Sequence, residues 1–280
     1  MRLELFRTLW GYRAPWQQAI DELLAAGFDG LEARIPETAS QRSANARLLR
    51  ELNVPYIATL FTSTPVLPVQ SDTPDMHLQD LRLKLQWAAE LEPRKVNILP
   101  GNDRWSLSEQ VDFFGAAAEI VAESGLQGSF EIHRGRSLYS PWVTLDVIRQ
   151  VPQLRFTSDI SHWVVTCERL LNDPTDDLTP FIERVDHIQS RVGYDQGPQV
   201  PHPGAPEYAD ALAFHQQHWE AIWASQERRG MQVTTMTPEF GPDGYLHHLP
   251  FTDVPIADLW QLNQWMGRCE RQHFHRFTSR

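Results

Sequence analysis

Only two cysteines, Cys167 and Cys269, occur in 280 residues. That is too few for a disulfide framework, so stability must come from a packed core. Long apolar runs are missing too: Pro, Gly or a charged residue interrupts every stretch before the roughly 20 residues that a membrane-crossing helix needs. The segment Met1-Arg2-Leu3-Glu4-Leu5-Phe6-Arg7 carries charges where a secretory signal would be apolar. The expectation is a reducing, cytoplasmic compartment with no membrane partner. Basic charge is also short. Against 36 Asp and Glu stand 25 Lys and Arg, a formal net charge of -11, which repels phosphate backbones and disfavours a nucleic-acid partner. No Gly-x-Gly-x-x-Gly follows an extended run and no Gly-Lys-Ser/Thr is present, which removes the usual dinucleotide and nucleotide loops.

What is there is an ordinary globular composition, 22% charged and 41% hydrophobic, long enough for a large single core. Short β-branched or aromatic runs alternate with longer segments of helical period. Strands are expected over Leu3–Trp10, Gly30–Ile35, Tyr56–Phe61, Lys95–Leu99, Gly128–His133, Arg155–Ile160, Val185–Val192 and Gln232–Phe240. The clearest amphipathic helices are Trp16–Ala26, Leu78–Leu91, Leu107–Ser124 and Ala209–Arg229. Gly27, Gly125 and Gly230 each sit between a helix and a strand, where a left-handed cap is expected. Eight strands, each followed by a helix, make a single-domain α/β (β/α)₈ TIM barrel over residues 1–280 the leading architecture. An open doubly wound sheet is the runner-up.

In such a barrel the site lies at the C-terminal strand ends, so polar residues there draw attention. In Ser129-Phe130-Glu131-Ile132-His133, alternation sends Glu131 and His133 to one face, into the barrel. The sixth strand ends in Asp159, with His162 in the following loop; on the seventh, His187, Gln189 and Arg191 share a parity; Glu239 stands at the mouth after the eighth. Converging inward carboxylates are costly unless they bind a cation. Glu131, Asp159, Gln189 and Glu239 form an all-oxygen set suited to one divalent ion, Mn²⁺ first, then Mg²⁺ or Co²⁺, with Zn²⁺ disfavoured. Glu131 and Glu239, on opposite sides of a chelated substrate, are placed to remove and return a proton beside a carbonyl through an enediolate that the metal holds. The plain alternative is that each strand-end Glu pairs with an Arg such as Arg134 or Arg136.

These segments resemble the xylose-isomerase-like barrels, the superfamily of ketose 3-epimerases, hydroxypyruvate isomerase, inosose dehydratase and metal-dependent apurinic endonucleases. Phe28-Asp29-Gly30-Leu31-Glu32 is similar to the second-strand signature of that group, Phe130-Glu131-Ile132-His133-Arg134-Gly135 to its fifth strand with a metal-binding Glu, and Asp159-Ile160-Ser161-His162 to its Asp-x-x-His. The resemblance implies Asp159 on the metal, His162 on the substrate and Glu239 as the last metal-binding Glu. Many relatives carry His where this chain has Gln189; hydroxypyruvate isomerase-like members carry His-Ile-Gln, and His187-Ile188-Gln189 is similar to it. Which of His187 and Gln189 is the ligand stays open at this point. Arg191 replaces an acidic residue and suits a carboxylate or hydroxyl-rich substrate.

Ten Trp are present, and Trp10, Trp105, Trp142 and Trp163 follow strands on the mouth side, where aromatic faces suit a carbohydrate-like ligand. Trp219, Trp223, Trp260 and Trp265 have helical spacing and pack helices on the barrel or on another subunit, a homodimer or homotetramer. The Pro-rich loop from Gly193 to Pro203 is expected to act as a lid or pocket wall. The resulting expectation is a metal-dependent isomerase or epimerase of a small sugar, keto sugar or hydroxy-keto acid, with substrate contacts from His133, His162, His187, Arg191, Trp10 and Trp163. A dehydratase or lyase of a keto sugar would use the same groups. An apurinic endonuclease would call for more His ligands and a basic groove. A non-catalytic sugar-binding barrel would tolerate Gln at both glutamates.

Overall fold

The computed structural model describes residues 1–63, 66–242 and 244–280. Eight parallel strands close in sequence order into a barrel: β1 (Arg2–Thr8), β2 (Gly30–Arg34), β3 (Tyr56–Phe61), β4 (Lys95–Leu99), β5 (Gly128–Glu131), β6 (Phe156–Ser158), β7 (Val185–Gln189) and β8 (Val233–Thr237), with β1 paired to β8. The strand residues that face the helices are mostly apolar and buried: Leu5, Leu31, Ala58, Ile98, Phe130, Phe156, Ile188 and Met236. Burying them holds the helical layer on the sheet.

Around the barrel run α1 (Trp16–Ala25), α2 (Ala39–Leu52), α3 (Pro74–Ala89), α4 (Leu107–Ser124), α5 (Pro141–Gln150), α6 (Ile160–Cys167), the short α7 (Thr179–Ile182), α8 (Ala209–Arg228) and α9 (Leu259–Thr278). Ser106 and Glu109 close a capping box on α4, and Gly27, Gly125 and Gly230 take the positive φ that the punctuation predicts. No helix among the described residues is long and apolar enough to cross a membrane.

The strands that carry the expected site end earlier than the sequence pattern implies. β5 stops at Glu131, β6 at Ser158, β7 at Gln189 and β8 at Thr237, so His133, Asp159, Arg191 and Glu239 stand on the connections beyond them. At β6 the reason is local: Asp159 caps α6, its carboxylate accepting from the Ser161 N–H at 3.2 Å. His162 therefore lies in the first turn of a helix rather than in a loop.

The outer tryptophans are absorbed by the chain itself. Trp219 and Trp223 are fully buried, Trp223 against Phe274 and Phe277 of α9, and Trp260 stacks on Phe28 at 5.4 Å.

Candidate metal and substrate site

Three carboxylates meet at the C-terminal mouth. Glu131, Asp159 and Glu239 each offer one oxygen within 4.8 Å of the others, and a second grouping brings Glu131 together with His133 and His162. Neither Arg134 nor Arg136 neutralises Glu131 by an ion pair. The Arg136 guanidinium donates instead to the carbonyls of Thr62 (2.9 Å), Val66 (2.8 Å) and Leu99 (3.1 Å). Burial, then the neighbouring Asp159, pushes Glu131 up to about 8. Burial and Glu131 push Glu239 well above the usual carboxylate range, and burial raises Asp159 although Arg191 opposes it. Such a cluster is short of positive charge.

One cation is already built in. Arg191, fully buried, donates to Asp159, to His162 Nε2 (2.9 Å) and to Ser161 Oγ (3.2 Å), and lies 3.9 Å from Glu239. Gly193 makes this arrangement possible, since a Cβ there would come within 2.8 Å of the Ser161 side chain. The expected substrate contact of Arg191 is thus corrected in part: it lines the pocket, but its fork is committed to Asp159, a buried acid that needs it.

Deeper in the barrel is a fourth carboxylate, marked in the sequence only by the second-strand signature. Glu32 accepts from Gln189 Nε2 (2.7 Å), Asn97 Nδ2 (3.2 Å), Thr59 Oγ1 (3.2 Å), the Thr237 hydroxyl and His187 Nε2 (3.2 Å). Burial works to raise its pKa, but His187 and these hydrogen bonds outweigh burial and hold it below the ordinary value. Asn97 also donates to Glu131 Oε2 at 2.5 Å and so ties the two carboxylates together. A lone amide within the apolar run Lys95-Val96-Asn97-Ile98-Leu99 was the available signal for it.

This network separates the candidates on β7. His187 is occupied by Thr235 (2.8 Å) and Glu32 and does not line the pocket, so its expected substrate role is corrected to that of a partner for Glu32. Gln189 gives its amide N–H to Glu32, which turns Oε1 away, buried and with no partner among the described residues. An orphaned buried amide oxygen is costly unless a ligand completes it. Glu131, Asp159 and Glu239, crowded and short of positive charge, are donors that suit a divalent cation, and the free oxygen of Gln189 is of the same donor type.

His133 donates from Nδ1 to the Arg134 carbonyl at 2.5 Å, which leaves Nε2 as an acceptor. Burial, with Arg191 and Arg136 nearby, pushes His133 down to about 3, so it is neutral at physiological pH. His162, its ring 3.9 Å from that of His133, accepts from Arg191 at Nε2; its Nδ1–H is buried without a partner among the described residues.

Above these groups opens a pocket of about 990 Å³ lined by Trp10, Tyr12, Trp16, Phe61, Tyr245, Glu32, Glu131, His133 and Glu239, among others. Trp10 packs edge-on against Tyr245 at 5.0 Å and lies so close to Gly241 that a Cβ there would meet its ring at 2.0 Å. Trp163 is corrected. Its indole N–H donates to the Leu138 carbonyl at 3.0 Å and its ring packs on Phe181, because α6 turns it into the core. Trp105 packs on His77 and Phe113, and Trp142 is exposed. The 193–203 loop braces the β8 end through Gln199 and Gly241 (2.9 Å) rather than walling the pocket. Tyr12 and Tyr245 had no local signal, since loop residues carry no facing period, and Trp16 opens α1.

The raised carboxylates predict a pH-dependent metal affinity. Binding must displace the proton on Glu131, so affinity should rise about tenfold per pH unit for each proton released, levelling above about pH 8. The metal-free protein should show the opposite trend. Its native state keeps protons that the unfolded chain has already lost, so stability falls as pH rises from the ordinary carboxylate range towards about 8. Calorimetric Mn²⁺ titration and thermal unfolding, with and without the ion, at several pH values read both slopes. A flat metal affinity would show the cluster already ionised.

No family model matches the chain, and no curated protein matches it in sequence. Solved structures do. An L-ribulose 3-epimerase superposes with a TM-score of 0.69 at 12% identity, covering 100% of this chain and 96% of that one. The probable 3-DHS dehydratase AsbF from Bacillus anthracis gives 0.58 at 13%, covering 86% and 94%. The IolI protein, solved with a binding zinc atom, gives 0.63 at 10%, covering 96% and 98%. The chain shares with these proteins the fold of a closed parallel (β/α)₈ barrel.

Proposed function

We propose that the protein is a divalent-metal-dependent isomerase or epimerase of a small polyhydroxy carbonyl compound. The observation that carries this reading is the meeting of Glu131, Asp159 and Glu239 at one point under an aromatic-walled pocket, with a buried, unpartnered oxygen on Gln189 at the end of β7. A divalent ion held by these four residues, Mn²⁺ in the first place for an oxygen-donor set, would polarise the substrate carbonyl and offset the charge of an enediolate. The chain supplies the proton transfer. Glu131 and Glu239, whose proton affinities burial raises above those of ordinary carboxylates, take a proton from the carbon beside the carbonyl and return it to the neighbouring carbon or to the opposite face. His133, which lines the pocket, accepts a substrate hydroxyl at Nε2. Trp10 and Tyr245 screen the intermediate from water. Cytoplasmic residence belongs to the same reading, on the two free thiols Cys167 and Cys269.

The test is proton exchange in D₂O with Mn²⁺ present, across ketoses, hydroxypyruvate and keto sugars, followed by NMR. Loss of the proton beside the carbonyl supports the proposal, and the products distinguish isomerisation, epimerisation and elimination of a β leaving group. No exchange with any compound, with bound metal confirmed, overturns it.

A further inference from the structure

We infer that the substrate of this site carries an anionic end group, a carboxylate or a phosphate, held by Arg34 and Arg134; the inference rests on the reading of the pocket as a substrate site. The chain is acidic overall, yet this pocket gathers guanidinium groups: Arg34, Arg134 and Arg191 line it, and Arg136 shares the Phe61 ring with Arg34. They come in two pairs, each sharing an aromatic ring. Arg34 and Arg136 sit 4.6 Å and 5.1 Å from the centre of Phe61, and Arg134 and Arg191 sit 5.0 Å and 4.6 Å from that of Tyr245. Like charges brought this close repel unless something answers them.

In each pair one member is answered from within. Arg136 has its backbone carbonyls and Arg191 has Asp159. The side chains of Arg34 and Arg134 make no hydrogen bond and no ion pair among the described residues, while the rings of Phe61 and Tyr245 hold them in place. A guanidinium lying over a ring keeps its N–H edge free for a planar anion. The pocket carboxylates do not serve them. Glu32 is saturated by donors, and Glu131, Asp159 and Glu239 are balanced by Arg191 and the divalent ion that they fit. Arg34 and Arg134 are therefore the surplus charge at the mouth, and a neutral sugar would leave it unanswered.

Three compounds alike but for one end test this: D-fructose, D-fructuronate with a terminal carboxylate, and D-fructose 6-phosphate. Binding to the Mn²⁺-loaded protein is read by calorimetry, which does not depend on turnover. The expected result is at least about tenfold tighter binding of one anion than of fructose at low salt, the size of one charge-assisted contact, with the gap narrowing as ionic strength rises. The better anion identifies the end group. Arg34→Gln and Arg134→Gln should each reduce the ratio of anion to fructose affinity about tenfold, and Arg34→Lys and Arg134→Lys should keep most of it. Affinity of both anions no better than that of fructose, absence of binding by either, or an unchanged ratio in both Gln variants overturns the inference. A surviving anion preference beside absent proton exchange would instead overturn the isomerase proposal alone.

Discussion

Glu239→Gln should slow exchange of the substrate proton by about 10²- to 10⁴-fold at saturating Mn²⁺, the usual contribution of one positioned acid or base. Gln keeps the shape and an oxygen donor but cannot carry the proton. Glu239 also stands in the carboxylate cluster, so the variant should need more Mn²⁺ for saturation, and exchange must be measured across a metal titration. Glu131→Gln should behave alike, with one addition. Asn97 Nδ2 donates to Glu131 Oε2 at 2.5 Å, and Asn97 in turn bonds Glu32, so a change at Glu131 also disturbs the deeper network. A binding barrel without catalysis predicts something else: both variants would lose metal affinity and nothing more. Exchange within about threefold of the parent at saturating metal, far below that catalytic contribution, would favour the binding barrel.

Arg191→Met should be the most destabilising single change at the site in the metal-free protein. It removes the guanidinium from Asp159, His162 and Ser161 and leaves a fully buried carboxylate without its cation. Breaking a buried pair in this way costs about 3–5 kcal/mol, on the order of 10 °C in Tm for a chain of this size. Asp159 escapes part of that cost by taking a proton, so the loss should grow as pH rises. Mn²⁺ should recover much of it, because the ion replaces the missing positive charge beside Asp159. Thermal unfolding of the variant at acidic and alkaline pH, with and without Mn²⁺, gives all of these comparisons. A variant as stable as the parent at alkaline pH without metal would show that Arg191 does not neutralise Asp159.

The two variants separate functions that strand-end polarity alone lumps together. Glu239 faces the pocket; Arg191 reaches the pocket too but spends its hydrogen bonds on Asp159, Ser161 and His162. The distinction matters for substrate preference, because it shifts anion recognition from Arg191, where the sequence pattern put it, to Arg34 and Arg134.

How far the sequence could be read follows from the range of the forces involved. Eight short apolar runs between amphipathic stretches specify strands, helices and their order, since alternation and helical period are properties of the local backbone. The same alternation turns Glu131, His187 and Gln189 inward, and the structure keeps all three on the inner face of β5 and β7. Beyond a strand end the period no longer holds. Asp159 caps a helix, Trp163 turns into the core, and Glu239 and Arg191 reach the mouth on connections. Which buried groups become partners is decided only when the sheet closes: Glu32 meets His187 across 155 positions of sequence and Thr237 across 205. That closure occupies His187 and frees the oxygen of Gln189, because a buried polar atom takes the nearest partner in space, however remote in the chain.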